Sequence, residues 1–210
     1  MTDDRAGTRR APIPALLATG AVHHRLVASG LRTRASVIVA SDEPRETHHF
    51  AALLGYGADA ICPRLALETI ASMAAADKLG GDHPAPAEAQ RRFRHAVEDG
   101  VLKVMSKMGI SDVASYRGAQ IFESLGLARE VVDRCLVGTP VALGGVGFAE
   151  LEREAFERHQ EAESLLAQCT VRWKQVDERR ADLAVVEQTM AGVDARIQTL
   201  ELAQQRGPGQ

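Results

Sequence analysis

The pattern of apolar and polar positions changes character along this chain of 210 residues. Residues 1–10 are polar and charged and read as a frayed, disordered N-terminus. Residues 11–158 mix short β-branched runs, helical periodicities and glycine punctuation, the texture of an α/β body. From Gln160 onward Gly and Pro are almost absent until the last few residues, which predicts one long helix over 159–205 and a disordered tail over 206–210.

Within the body, Ala35 to Ala40 reads ASVIVA, a short run suited to a buried strand. Ser41 to Tyr56 opens with a capping-type residue, acids and a proline, then runs apolar to Gly55, so it predicts a helix with start and stop signals. Ala58 to Cys62, just before Pro63, is a second strand. Strand, helix and strand in this space make a βαβ unit, with the right-handed crossover such units adopt. Leu65 to Ala76 predicts a buried Ala-rich helix, Lys78 to Ala87 a loop, and Glu88 to Glu98 a helix ended by Gly100. Val101 to Met105 fits a strand or a helix equally. Ser115 to Leu125 and Arg129 to Leu136 read as short helices, and Gly138 to Gly147 as a glycine-rich turn region.

The terminal segment carries heptads. Val176, Leu183, Met190 and Ile197 form one series at seven-residue spacing, and Val186, Val193 and Leu200 a second offset by three. These are the a and d positions of a coiled-coil seam, interrupted at Arg179 and weakened at Gly192. The seam points to pairing with another helix, within the chain or in a second copy.

Composition sets limits on this picture. Hydrophobic residues make up 45% of the chain, enough for a core, and 25 Lys and Arg against 28 Asp and Glu give a net charge of -3. That balance leaves no electrostatic footprint for nucleic acid or an anionic membrane. No window approaches the roughly 18 consecutive apolar residues of a membrane span, and no secretory leader is legible, so a cytoplasmic protein is expected. Cys62, Cys135 and Cys169 are few and far apart, as reduced thiols are, and their spacing suits neither a disulfide framework nor a local iron-sulfur motif.

Two blocks carry a further signal. The first runs from Ala11 to Thr69 and includes RTRAS, HHFA and LLGYGADA; the second runs from about Phe93 to Arg153 and includes SKMGIS, SYRGAQIFE and GGVGF. Together they resemble the large subunit of glutamate synthase over about two-thirds of the chain, in the region that closes its central domain. The resemblance implies a pathway of ammonia assimilation. Glutamine is hydrolysed at an N-terminal cysteine, ammonia passes to 2-oxoglutarate, and reduced FMN converts the imine to glutamate with electrons from an iron-sulfur cluster.

Measured against that resemblance, this chain reads as incomplete. Thr2 follows Met1, the first cysteine is Cys62, and the family's FMN barrel would lie C-terminal to the second block, where the heptad segment stands. Cys62 and Arg64 take the place of a usual Asn and Tyr, Asp112 that of a Thr, and Cys135 that of an aromatic. The expectation is a fragment that supplies inter-domain scaffold, is not catalytic alone, binds no cofactor or metal itself, and associates with other glutamate synthase domains or with itself through the tail. Exposed partner surfaces would leave it marginally stable or self-associating. The alternative is an independent interaction protein that oligomerises through its coiled coil.

Four groups of side chains invite chemistry. His23 with His24 and His48 with His49 form adjacent pairs, but neighbours on a helix diverge by about 100°, so packing and hydrogen bonding suit them better than a metal. Lys107, Ser111, Gln120 and Glu123 are the types that hold an oxoacid or a flavin edge, but packing at a domain boundary suits them better. Gly144 to Phe148 could approach a ligand or shape a helix entrance. Arg91, Arg92, Arg94 and His95 make a small basic patch that reads as a solvated face.

Overall fold

The computed structural model describes residues 1–4, 6, 7, 10–172, 174 and 175. The chain divides into two units, Met1–His159 and Gln160–Gln210. In the second, residues 160–172 are helical, while the heptad positions from Val176 to Leu200 and the 206–210 tail lie outside the described residues.

The first unit is a mixed α/β body built on two parallel βαβ turns. In the first, β1 (Ile38–Ser41) and β2 (Ala60–Pro63) pair in parallel, with Ile38 opposite Ala60, and α2 (Thr47–Gly55) connects them. In the second, β3 (Ser124–Leu127) and β4 (Val141–Val146) pair in parallel through α6 (Arg129–Cys135). Preceding both is α1 (Ala15–Ala28), and between them lie α3 (Arg64–Ala75), α4 (Pro86–Lys107) and the short α5 (Val113–Tyr116). Residues 148–159 are helical and follow β4.

Apolar side chains set this arrangement through three clusters. Ala15 of α1 meets Val37, Val39 of β1, Leu53 of α2 and Ala58. The other face of α2, with Phe50 and Ala51, packs on Val101 and Met105 of α4 and on Tyr116 of α5. Val132, Cys135 and Leu136 close on Leu16, Leu17 and Ala21 of α1. The α1–α6 approach is tight: a Cβ on Gly20 would sit 2.0 Å from the Cys135 carbonyl oxygen.

Several expectations shift here. The first strand begins at Ile38 rather than Ala35, and α2 begins at Thr47 rather than Ser41. Pro44 precedes the start, and the cap is Glu46, whose side chain and that of His49 form a reciprocal capping box. The Ser41 hydroxyl instead donates to Asp3 at 2.8 Å. The α3 helix was expected to be buried, yet none of its residues is, and Leu65 is 49% exposed. Gly100 does not end the fourth helix, which runs on through the ambiguous Val101 to Met105 stretch to Lys107.

Further on, the helix expected over Ser115 to Leu125 is only Val113–Tyr116, and its last residues form β3. The glycine-rich turn region is mostly a strand, β4. The N-terminal residues, expected to be frayed, lie against β1: Thr2 bridges Ala40 in parallel, and the Ala40 amide donates to the Met1 carbonyl at 2.9 Å. His159 Nε2 lies 2.9 Å from the Gly7 carbonyl oxygen.

Candidate functional site

The densest polar constellation gathers at the start of β2. Asp59 Oδ2 accepts from Arg32 Nη2 and from the Val37 amide, each at 2.7 Å, and Oδ1 lies 2.8 Å from Arg117 Nη1. Arg32 is fully engaged. Its Nε donates to His23 Nδ1 at 3.0 Å, Nη1 to the Ala35 carbonyl at 2.8 Å, and Nη2 also to the Gly57 carbonyl at 3.0 Å. Burial would raise the Asp59 carboxyl, but the Val37 amide and the two guanidiniums outweigh it and hold the group below its ordinary value. Burial, and then the positive charge of its neighbours His24, Arg32 and Arg117, lowers His23 against the pull of Asp59.

This arrangement holds the backbone together and leaves little for a ligand. Arg32 stitches the turn after α1 to the loop after α2, and Arg117 brings in the SYRG stretch, where the Gly118 amide donates to the Gly55 carbonyl at 2.8 Å. Sequence reasoning did not single out Arg32, Asp59 or Arg117. The available signal was that they sit inside the words RTRAS, LLGYGADA and SYRGAQIFE.

The four groups that sequence did single out come apart. His49 Nδ1 accepts from the Arg45 and Glu46 amides at 3.3 Å each, so it caps α2, while His48 stands edge-on to Phe122 with ring centroids 6.1 Å apart. His23 and His24 stand edge-on to one another, and burial lowers His24 as well. Among the described residues no group of three or more His, Cys, Asp or Glu could hold a metal ion.

Lys107, Ser111, Gln120 and Glu123 are all exposed and share no hydrogen bond with one another among the described residues. Ser111 lines a small hollow of about 370 Å³ beside Leu102 and Met105, which the other three do not reach. Gln120 has a left-handed backbone, φ 54°, and its side-chain amide lies over Gly138, where a Cβ would be 2.2 Å from Nε2. Asp112 caps α5, accepting from the Ser115 amide at 2.8 Å and the Ser115 hydroxyl at 2.6 Å.

The Gly144 to Phe148 run does enter a helix, but its anion is internal. The Gly147 amide donates to Glu150 Oε2 at 3.0 Å, and amides at Glu150 and Gly147 hold that carboxyl below its ordinary value. The basic patch is likewise paired. Arg92 forks onto Asp82 at 2.8 and 2.7 Å and reaches Glu88 at 2.9 Å, Arg91 also meets Glu88, and Arg94 and His95 share Glu98. Cys62, Cys135 and Cys169 are free, and burial raises the Cys135 thiol.

Two largely apolar surfaces also remain open. A groove of about 880 Å³ runs along β2, the terminal strand of its sheet; Leu54, Phe93, Val97 and Val101 wall it, and Asp59, Arg91, Arg94 and Glu98 also line it. On the second sheet Leu125 and Leu143, partners in the β3–β4 register, are 69% and 66% exposed. No helix among the described residues is long and apolar enough to cross a membrane.

Residues 1–128 match the family model of the glutamate synthase central domain. The large chain of the NADPH glutamate synthase of Bacillus subtilis is 49% identical over 162 residues, 77% of this chain and 10% of that protein. The NADH glutamate synthase of Schizosaccharomyces pombe is 43% identical over 162 residues, 76% of this chain and 8% of its own length. The ferredoxin-dependent glutamate synthase of Pyropia yezoensis is 48% identical over 162 residues, 74% and 10% respectively. The chain thus spans about a tenth of the length of the relatives it matches.

Proposed function

The chain belongs to the glutamate synthase central-domain family, and from that premise we propose that it is a fragment acting as structural scaffold for glutamate synthesis in the cytoplasm. In this reading it holds ammonia-producing and ammonia-consuming domains in register and does not catalyse alone. The observation that carries the reading is the contrast between its polar and apolar surfaces. The polar groups around Asp59, Glu150, Asp112 and Arg92 are spent on backbone amides or on opposite charges of the same unit. The β2 groove and the Leu125–Leu143 face, by contrast, are open, and apolar surfaces of that kind mark sites of packing against protein. FMN, the iron-sulfur cluster and the glutaminase cysteine belong, in this proposal, to the domains it supports.

A chimera tests it. The segment of the Bacillus subtilis large chain that matches this one is replaced by the present sequence, and glutamate formation from glutamine and 2-oxoglutarate is measured. Retained turnover in the chimera, with none above buffer for the isolated chain supplied with FMN and a reductant, is expected. A folded, soluble chimera without turnover would contradict the scaffold reading, and so would turnover by the isolated chain.

A further inference from the structure

We infer that residues 1–4 form a releasable edge strand and that Arg64 is the latch holding them on β1. The pairing itself is slight, resting on the Thr2–Ala40 bridge, the Ala40 amide to the Met1 carbonyl, and the Met1 amine to the Ile38 carbonyl at 2.7 Å. So few ladder bonds do not keep a strand in place by themselves. Charge does the rest. Arg64, the first residue of α3, pairs with Asp3 and Asp4 of the strand and reaches Asp42, just beyond β1, at 3.2 Å. Asp3 also accepts from the Ser41 hydroxyl at 2.8 Å and from the Asp42 amide at 3.0 Å.

Three carboxylates therefore meet one guanidinium, and Glu68 on the next turn of α3 adds to the excess of negative charge. Glu43 is turned elsewhere, accepting from the Ala15 amide at 2.9 Å. Asp42 registers the excess: burial, then the charges of Asp3 and Glu68, push its carboxyl above the ordinary value despite an amide hydrogen bond from Leu65. Asp42 works against docking while Arg64 works for it. The Nε of Arg64 is buried without an acceptor, so the guanidinium acts through its two terminal nitrogens. Without Arg64, three like charges remain at the junction and the strand leaves, uncovering the outer edge of β1.

This inference does not depend on the scaffold reading, and amide hydrogen exchange of the full chain followed by NMR at pH 7 tests it. In Arg64→Gln the Ala40 and Asp42 amides are expected to exchange about tenfold faster, with the Ala58 amide, bonded to the Leu53 carbonyl in the core, unchanged. In Asp42→Asn, which keeps an acceptor for the Leu65 amide, the Ala40 amide is expected to exchange about threefold more slowly. Unchanged Ala40 and Asp42 exchange in Arg64→Gln overturns the latch, and so does equal acceleration at Ala58, which would make Arg64 a support of the whole fold. Faster Ala40 exchange in Asp42→Asn overturns it too.

Discussion

At the scale of single residues, His23 shows how a histidine can serve without binding a ligand. Its Nδ1 must keep a lone pair for Arg32, and burial together with neighbouring positive charge favours the neutral ring. With the folded-state value below the ordinary 6.5, its contribution to stability is complete above about pH 6.5 and is lost as pH falls through the lowered value. His24 contributes with the same sign. Asp59 follows at more acid pH, since its depressed carboxyl stabilises the fold above about pH 4 and loses that effect on protonation. The urea midpoint is accordingly expected to fall between pH 7 and pH 5, and to fall less steeply in His23→Gln, whose amide oxygen still accepts from Arg32. Identical slopes in the two proteins would remove His23 from the account.

At the scale of elements, α4 overrides its own sequence signal. A glycine inside a helix costs roughly 1 kcal/mol relative to Ala, so Gly100 reads as a stop. Yet a Cβ there would stand 2.4 Å from Thr47 Oγ1 and 2.6 Å from its Cγ2, so the glycine makes room for the first turn of α2. Thr47 is β-branched and cannot swing aside freely. Overpacking of this kind costs more than the helix gains, and Gly100→Ala is expected to lower stability by about 1–2 kcal/mol in urea melts. Adding Thr47→Ala should recover most of the loss; a stabilised Gly100→Ala would show that the two helices simply part. The β1–α2–β2 turn could be read because apolar runs and a proline-acid start follow one another locally. The β3–β4 pair could not, because SLGL and VALGGV carry too few β-branched residues to announce strands and are fixed by pairing with each other. The Asp59 cluster was hidden for another reason: its members are scattered along the chain and converge only when the turns close.

At the scale of the molecule, the open apolar surface is expected to govern behaviour in solution. Leu125 and Leu143 lie side by side across β3 and β4 with most of their area in water. Replacing both by Thr is expected to leave the urea midpoint within about 0.5 kcal/mol of the parent, while reducing concentration-dependent association in sedimentation. Undiminished association would move the sticky surface elsewhere, with the β2 groove the next to test. A last consequence concerns the carboxylate of Asp59, held on one oxygen by Arg32 and on the other by Arg117. Along the chain, Arg32 precedes Asp59 and Arg117 follows α4, so a nascent chain offers the first grip early and the second only after α4 has been made. The site is therefore complete only once Tyr116 to Gly118 have been made and Arg117 can reach the other oxygen.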